Sequence, residues 1–242
     1  MSRLIAGLQP VREAIAAHGA RLERVLVEAR RDAPKLDALA RFAKDRGAPV
    51  ERAARSELDK VSRGAYHQGA VAIAPALALL DLGELVAGGA GPVVALDEVE
   101  DPQNFGAIVR SCVALGARGV VFPESHAAPL TAATFRASAG AIEHARLCRV
   151  TSLPRALEEL DGLGLPSLGL DASGDDLTKA SGSRDVVLVV GAEGKGLRKA
   201  VRAACRTLVR IPMAGPLGSL NASVAAGIAL YELARAARAS AP

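Results

Sequence analysis

The chain has 242 residues, half of them hydrophobic, which is enough for one large or two modest domains with their own cores. Tryptophan is absent and aromatic residues make up only 2%, so the core must be built from small aliphatic side chains. Residues 1–75 contain 14 Lys and Arg against 9 Asp and Glu, whereas residues 76–242 contain 16 against 17. The basic excess of the first third points to a polyanionic partner, although a basic surface that only aids solubility would give the same balance.

The three cysteines, Cys112, Cys148 and Cys205, are far apart and form no CxxC or Cys/His cluster. This spacing argues against a metal site and favours buried, reduced thiols in the cytoplasm. No apolar run reaches the roughly 18 residues of a membrane span, and residues 1–10 lack the apolar region of a secretory leader. We therefore expect a cytoplasmic protein with no membrane partner and no metal.

The first third alternates between strand and helix patterns. The strands are predicted at 4–6, 22–28, 50–52 and 71–74, and the helices after Gly7 (with Pro10 near the first turn), at 34–46 and at 56–61. We predict a compact α/β domain over residues 1–75. It fits a small RNA-binding domain, and a dimerising or purely structural domain would give the same pattern.

Residues 76–92 combine a short helical pattern at 77–86 with a glycine-rich end, which predicts a linker. From residue 93 the pattern is strand, loop and helix again. Strands are predicted at 93–97, 119–122, 146–150, 166–170, 186–190 and 207–211, and helices at 103–116, 130–140, 153–161, 196–204 and 220–238. This alternation predicts an α/β domain over 93–242, with a mostly parallel sheet covered on both faces. The polar stretch 171–184 is expected to be a surface loop.

The first motif is LDEVEDPQNFGAIVRS, residues 96–111. Asp101 and Pro102 predict the start of a helix, with Asp as the cap and Pro in the first turn. Asn104 stands in that first turn, near the sheet edge, and Arg110 falls off the buried stripe of the helix. Taken alone, these residues are as well explained by a second cap and a solvated charge.

The second motif is VVLVVGAEGKG, residues 186–196, a buried strand that runs into a glycine-rich turn. It is not a Walker loop, because Gly196 follows Lys195 where Ser or Thr would be required, and its glycines do not have the spacing of the GxGxxG dinucleotide motif. Glu193 would repel a polyphosphate. The turn suits a ligand without phosphates, although an ordinary strand-to-helix turn has the same composition.

The third motif is IPMAGPLGSLNAS, residues 211–223, which follows the last predicted strand. Either Ser219 or Asn221 can cap the long helix that comes next. Small residues along this helix, from Ala222 to Gly227, predict a smooth surface for tight packing within the monomer or across a dimer interface. The loops that follow the last two strands should lie at one edge of the sheet, where open α/β sheets bind ligands.

The three motifs in this order resemble those of the SpoU (TrmH-type) branch of the SPOUT RNA methyltransferases, and the likeness covers about 90–235. SAGAIE, residues 138–143, is also typical of that branch. The N-terminal unit, with GLQPVREAI and HQGAVA, resembles the L30e-like substrate-binding domain of the RlmB-like subgroup. The resemblance implies a C-terminal SPOUT domain with a deep trefoil knot, a homodimer, and transfer of a methyl group from S-adenosylmethionine to a ribose 2′-hydroxyl of RNA.

The resemblance also implies roles for individual residues. The catalytic and ribose-binding set carried over comprises Asn104, Arg110, Glu193, Ser219 and Asn221. The set that would contact S-adenosylmethionine, largely through backbone groups, comprises Gly191, Ala192, Gly194, Ile211, Pro212, Met213 and Leu220. The implied substrate is a guanosine of 23S ribosomal RNA. The alternatives are a tRNA methyltransferase of the same fold and a non-catalytic RNA-binding or ribosome-assembly factor.

Overall fold

The computed structural model describes residues 2–180, 185–216 and 218–239. The strands, in chain order, are β1 (Arg3–Ala6), β2 (Arg24–Glu28), β3 (Val50–Ala53), β4 (Ala70–Ala74), β5 (Leu79–Leu80), β6 (Val93–Leu96), β7 (Gly119–Pro123), β8 (Leu147–Val150), β9 (Ser167–Asp176), β10 (Val187–Val190) and β11 (Thr207–Arg210). The α-helices are α1 (Leu8–His18), α2 (Pro34–Asp45), α3 (Arg55–Ser62), α4 (Leu82–Ala87), α5 (Pro102–Leu115), α6 (Ala132–Ala137), α7 (Leu153–Gly162), α8 (Leu177–Ala180), α9 (Lys199–Ala204) and α10 (Ala222–Ala239).

The chain forms two compact units. The first contains the residues up to Leu77 together with Leu130–His144, and the second contains Ala78–Pro129 together with the chain from Ala145 onward. Segment 130–144 therefore packs with the N-terminal residues, although it lies in the sequence range of the predicted C-terminal domain. The predicted domain boundaries at 75 and 93 remain a prediction.

The first unit is built on a four-stranded sheet in the order β1-β4-β2-β3. Strands β2 and β3 are parallel, and β4 runs antiparallel to both of its neighbours. Helices α1 and α2 bury the apolar stripe that their spacing predicts, with Val11, Ile15 and Leu39 in a core shared with the sheet. This topology brings the ends of β1, β2 and β3 and the start of β4 to one edge of the sheet.

A buried carboxylate ties segment 130–144 to the rest of the first unit. The side chain of Glu143 is only 1% exposed and accepts hydrogen bonds from both terminal nitrogens of Arg3, at 2.9 and 2.7 Å. His18 Nε2 lies 2.8 Å from the same carboxylate. Burial alone would raise the pKa of Glu143, but the hydrogen bonds and charge of Arg3, with those of His18, outweigh it and hold the pKa below its usual range.

The second unit is built on a seven-stranded sheet in the order β11-β9-β10-β6-β7-β8-β5, and every neighbouring pair is parallel. The central strands β6 and β10 are buried along their whole length. Val93, Ala95, Val187 and Val189 share a core with α7 and α9, and the alternate residues of these strands point to the opposite face. Helix α10 packs against α5, where a Cβ added at Gly227 would lie 3.7 Å from Ser111 Oγ.

The parallel α/β architecture predicted for this unit is confirmed, and each of the six strands predicted from residue 93 onward begins within one residue of its predicted start. Two local predictions were wrong. The segment 77–86 begins with strand β5, which pairs with β8, and only then forms α4. The predicted loop 171–184 continues strand β9 to Asp176 and then forms α8, while its residues 181–184 lie outside the described part of the chain.

The three cysteines are free thiols, with Cys112 and Cys148 buried and Cys205 half-buried. Burial raises the pKa of Cys112 to about 12 and those of Cys148 and Cys205 to about 11, so all three are protonated and unreactive near neutral pH. Within the described residues, no helix is long and apolar enough to cross a membrane. The same residues contain no group of three or more His, Cys, Asp or Glu side chains that could hold a metal ion.

Candidate active site

The predicted site residues lie in the segments that follow β6, β10 and β11 in the second unit. Asn104 and Arg110 are on α5, and the others are in the loops after β10 and β11. These three strands and β9 are neighbours in the order β11-β9-β10-β6, and they are parallel, so their carboxyl ends lie at the same edge of the sheet. That edge is the usual ligand site of an open α/β sheet. The topology therefore brings together residues that are far apart in sequence.

The glycine-rich turn after β10 folds back tightly on itself. Gly196 N donates a hydrogen bond to Ala192 O over 2.9 Å. A Cβ added at Gly191 would lie 2.3 Å from Gly196 C and 2.6 Å from Leu197 N, so no larger residue fits without moving the backbone. Gly194 and Gly196 have φ angles of 76° and 67°, which favour glycine. The turn therefore presents Glu193 at an exposed tip.

A buried carboxylate anchors the segment that follows this turn. Asp97, at the end of β6, is fully buried, and its two oxygens accept hydrogen bonds from Arg198 N (2.8 Å) and Arg198 Nε (2.7 Å). Arg198 is the residue that precedes α9, so Asp97 fixes the point where the connection from the glycine turn enters that helix. Neither residue stood out in the sequence, because the partners are 101 residues apart and Arg198 lies outside the three motifs.

Asn104, Glu193 and Asn221 form a closed triangle of hydrogen bonds. Glu193 Oε2 accepts from Asn104 Nδ2 at 3.2 Å and from Asn221 Nδ2 at 2.8 Å. Asn221 Nδ2 also donates to Asn104 Oδ1 over 2.9 Å. One residue from each of the three motifs therefore meets at a single point. Two neutral amides hold the Glu193 carboxylate in place, and no cation of the described residues pairs with it.

Asn221 uses its whole hydrogen-bonding capacity. Its Nδ2 donates twice within the triangle, and its Oδ1 accepts from Ser223 N at 2.9 Å and from Ser223 Oγ at 2.6 Å, which caps α10. This confirms the predicted cap. Asn104 is also anchored, since Asp101 caps α5 by accepting from Asn104 N and Gln103 N. An incoming ligand would find its free hydrogen-bonding groups on Glu193 Oε1 and on the second N–H of Asn104 Nδ2.

A cavity of about 340 Å3 opens beside the triangle. Its lining includes eight of the twelve predicted site residues: Gly191, Ala192, Glu193, Gly194, Ile211, Met213, Ser219 and Leu220. Leu170, Asp171 and Ala172 also line it, and they were missed because the polar sequence after residue 170 does not have the pattern of a strand. Hydrogen bonds from Ser173, with the charge of Arg202, lower the pKa of Asp171.

Pro212 is exposed and does not line the cavity, although both of its neighbours do. Arg110 is also exposed, and none of the described residues forms an ion pair or hydrogen bond with its side chain. It stands six residues after Asn104 on α5, which turns it by roughly 240° around the helix. The structure therefore brings Asn104, Glu193 and Asn221 together and leaves Arg110 outside the triangle.

Helix α10 carries an exposed apolar stripe. Val224, Ile228 and Tyr231 are among the most exposed large hydrophobic residues of the chain, and their spacing places them on one side of the helix. The buried side of α10 faces α5, with Ala226, Ala229 and Leu230 inside. The stripe is thus a second apolar face on a helix that already has a buried one.

Two family models match the chain. The model described as "SpoU rRNA Methylase family" covers residues 91–231. The model described as "RNA 2′-O ribose methyltransferase substrate binding" covers residues 4–79.

Individual relatives and solved structures agree with these matches. An uncharacterized tRNA/rRNA methyltransferase of Mycobacterium sp. (strain KMS) is 45% identical over 203 residues, which are 81% of this chain and 65% of that protein. The chain thus spans about two thirds of that relative's length. One similar solved structure is the crystal structure of the SpoU methyltransferase AviRb from Streptomyces viridochromogenes in complex with the cofactor AdoMet. Its TM-score is 0.78 and its sequence identity is 28%, over 100% of this chain and 92% of the AviRb chain. A crystal structure of an RNA 2′-O ribose methyltransferase has a TM-score of 0.77 at 27% identity, over 98% of this chain and 89% of its own.

Proposed function

Since the chain belongs to the SpoU rRNA methylase family, we propose that it transfers a methyl group from S-adenosylmethionine to a ribose 2′-hydroxyl of RNA. The observation that carries the proposal is the triangle of Asn104, Glu193 and Asn221 beside the cavity. Each of the three family motifs supplies one corner. Such a constellation is what a site needs to hold a ribose in one orientation.

The cavity fits the proposed cofactor. Its volume of about 340 Å3 lies within the range of roughly 300–1,000 Å3 that is usual for small-molecule sites. Its lining combines apolar side chains with glycine backbone. The carboxylates Asp171 and Glu193 suit the sulfonium and ammonium groups of the cofactor, and the cations Lys195 and Arg210 suit its carboxylate. We propose that Gly191, Ala192, Gly194, Ile211, Pro212, Met213 and Leu220 hold it, with Pro212 shaping the loop from outside. When bound, the cofactor supplies an electrophilic methyl group.

Asn104 and Glu193 would orient the ribose, because they keep the free donor and acceptor at the triangle. Asn221 would act by positioning both of them, since its own groups are fully used. Ser219, exposed at the rim of the cavity, would contact the ribose or the cofactor.

Arg110 would act as an electrostatic group. A guanidinium stays protonated near neutral pH, so it cannot readily accept the proton of the 2′-hydroxyl. Its charge can instead stabilise negative charge that develops on the 2′-oxygen and can hold an adjacent phosphate. Deprotonation would then occur late or through water.

We further propose that the protein is a cytoplasmic homodimer with a deep trefoil knot in its C-terminal domain. The exposed stripe Val224, Ile228 and Tyr231 supports the dimer, because a second copy would remove this apolar surface from water. Arg110 lies exposed on α5, the helix that packs against α10. The free thiols of all three cysteines agree with a reducing compartment.

The proposed substrate is a guanosine of 23S ribosomal RNA, recognised with the help of a substrate-binding domain at residues 1–75, followed by a linker at 76–92 and the methyltransferase domain at 93–242. The match of residues 4–79 to a substrate-binding family and the basic excess of this region support an RNA partner. A tRNA substrate is the second candidate, because the relatives are described as tRNA/rRNA methyltransferases.

The test is transfer of a labelled methyl group to purified 23S ribosomal RNA and to tRNA, followed by mapping of the 2′-O-methylated nucleotide. We expect transfer to ribosomal RNA, and Arg110→Ala should abolish it while cofactor affinity changes by no more than a few-fold. In Arg110→Lys, raising the pH should not restore the rate, whereas rescue would assign Arg110 the role of a base. Wild-type protein that binds RNA but no S-adenosylmethionine in calorimetry would instead be a non-catalytic RNA-binding factor.

A further inference from the structure

The first unit has its own cavity, of about 580 Å3, at the edge where β1, β2 and β3 end and β4 begins. Four connections line it: Leu8 after β1, residues 28–36 between β2 and α2, Arg55 at the start of α3, and residues 66–69 before β4. The predicted chemistry of the second unit does not use it. Its position, at the carboxyl ends of strands, is the same as that of the cavity in the second unit.

Tyr66 stands in this cavity and is 75% exposed, more than any other large hydrophobic residue described. The chain has only two tyrosines, four phenylalanines and no tryptophan, so an aromatic ring in water is unusual here. Water-exposed aromatic rings that line a concave surface serve to stack flat ligands, above all nucleic-acid bases.

The exposure of Tyr66 follows from the way its loop is anchored. The next residue, His67, is almost completely buried: its Nε2 lies 2.9 Å from Asp59 Oδ1, and its Nδ1 accepts from Gly69 N at 3.0 Å. Gln68 Oε1 accepts from Leu8 N over 3.2 Å. Two side chains therefore hold the loop from inside, and the ring of Tyr66 is the part of it that stays in water.

The cavity is also lined by positively charged side chains that have few ion-pair partners. Arg30 and Lys35 are exposed, and neither forms an ion pair within the described part of the chain. Arg55 is only loosely paired, with Nε 4.0 Å from a carboxylate oxygen of Asp59. In addition, α2 begins at this cavity with no side chain capping its first turn, which leaves positively polarised backbone amides.

Two carboxylates, Glu28 and Asp32, line the same cavity. A surface that binds only phosphates would not include these carboxylates, because they repel anions. Carboxylate oxygens accept hydrogen bonds from the amino groups of bases, however, and they repel an acidic protein partner. The combination of a ring, cations and acceptors fits a nucleotide better than it fits an acidic peptide.

We propose that this cavity binds one unpaired nucleotide of the RNA substrate, away from the nucleotide that is methylated, with its base stacked on Tyr66 and its phosphate held by Arg30 and Lys35. The proposal rests on the proposed function for the identity of the RNA as substrate. Unpaired bases are the parts of RNA that can leave the helix and stack on a protein ring. His67 is the positioning residue, since it fixes the loop without reaching the base.

The binding experiment uses the full chain and a fluorescein-labelled single-stranded oligoadenylate RNA, with its duplex with oligouridylate as comparison. Tyr66→Ala should weaken binding to the single strand roughly 10-fold, as expected for the loss of one stacked base, whereas Tyr66→Phe should stay within about two-fold. Arg30→Ala should weaken binding and reduce the salt dependence by about one phosphate contact. The matched control is Arg41→Ala, an exposed cation on α2 that does not line the cavity, and it should leave affinity unchanged.

A direct signal comes from the tyrosine itself. In Tyr231→Phe, Tyr66 is the only tyrosine of a chain without tryptophan, so quenching of tyrosine fluorescence by the RNA reports stacking at this position. We expect quenching with the single strand and little with the duplex. Unquenched fluorescence, or unchanged RNA affinity in Tyr66→Ala, would overturn the assignment.

Steady-state methyl transfer separates this proposal from the proposed function. Tyr66→Ala should raise the KM for ribosomal RNA with little change in kcat or in the KM for S-adenosylmethionine. If the wild-type protein binds RNA through Tyr66 but transfers no methyl group, the proposed function fails and the cavity assignment stands. If methyl transfer proceeds in Tyr66→Ala with the wild-type KM, the cavity assignment fails and the proposed function stands.

Discussion

The two units each have a cavity at the carboxyl edge of a sheet, but the two cavities differ in their glycine content and in their aromatic residues. The cavity of the second unit is lined by four glycines and by aliphatic side chains, together with the carboxylates Asp171 and Glu193 and the cations Lys195 and Arg210. That of the first unit is lined by an exposed ring and long cations, with Gly69 as its only glycine. We therefore expect the same location in a fold to serve different ligands, depending on whether glycines let a ligand approach the backbone or an exposed ring is available for stacking.

The largest expected effect comes from adding a methyl group to the glycine turn of the second cavity. Gly191→Ala places a methyl group 2.3–2.6 Å from the backbone of Gly196 and Leu197, so the turn must shift and move Glu193 with it. We expect S-adenosylmethionine affinity and methyl transfer to fall by at least about 100-fold, because a displacement of about 1 Å within a site can reduce the rate by that factor. Calorimetry with the cofactor measures the first loss.

The matched control is Gly162→Ala, at the end of α7 in the same unit, where an added Cβ meets no atom within 4 Å. It should bind cofactor normally. RNA binding at Tyr66 should survive in both variants, because that cavity belongs to the first unit. Normal cofactor binding by Gly191→Ala would show that the cavity beside the glycine turn does not hold the cofactor.

A smaller effect is expected from changing the charge of the triangle while keeping its shape. Glu193→Gln replaces a carboxylate that accepts two N–H groups with an amide that can point its own N–H groups at them. Loss of a hydrogen bond to a charged group corresponds to roughly 10- to 100-fold in rate. We expect that drop in the single-turnover rate of methyl transfer at saturating S-adenosylmethionine. Glu124→Gln, at an exposed glutamate of the same unit, is the control, and equal rates for the two variants would remove Glu193 from the mechanism.

Replacing the buried Glu143 of the first unit should have the smallest effect on methyl transfer and a clear effect on stability. Glu193 is exposed and held by neutral amides, whereas Glu143 is buried and held by Arg3 and His18. Glu143→Gln leaves the Arg3 guanidinium without its counter-charge, which typically costs about 3–5 kcal/mol in unfolding free energy. Chemical denaturation measures the loss, and S-adenosylmethionine binding before the transition should stay normal.

The same ion pair predicts a pH dependence. The pKa of Glu143 is lower in the folded chain than in the unfolded one, so its stabilising contribution is present above the unfolded value of about 4.3 and is lost as the pH falls through the folded value. The wild-type chain should therefore lose part of its stability below about pH 4.3 in a step that Glu143→Gln lacks. Identical acid-denaturation curves for the two proteins would contradict the assignment.

Local patterns predicted the elements whose signals lie within one segment of sequence. Asp101 and Pro102 predicted the start of α5, and Asn221 was one of two candidates for the cap of α10; both are confirmed by their hydrogen bonds. The patterns failed where pairing between distant segments decides the structure. Strand β9 extends through polar residues because β11 pairs with it on both sides of a bulge, at Leu168–Gly169 and again at Asp175–Asp176. The two-residue strand β5 exists only because β8 lies beside it.

In the candidate site, too, local patterns could not predict contacts between distant segments. The composition of each motif was compatible with ordinary caps and turns, and only the family resemblance selected Asn104, Glu193 and Asn221 as a group. Their contacts span 28 to 117 residues, which no periodicity within a window can detect. Asp97 went unnoticed for the same reason, since its partner Arg198 is 101 residues away and lies outside the three motifs.

The parallel pairing of β6 with β10 has a consequence for the folding kinetics of the second unit. This pairing joins Val93 to Val187, and the segments that follow these two strands supply Asn104, on α5, and Glu193, in the glycine turn. Closing so long a segment is entropically costly, so chains dominated by such contacts fold in milliseconds to seconds rather than microseconds. The triangle cannot form before this closure is complete. The appearance of cofactor binding during refolding would therefore mark the end of the folding reaction rather than an early step.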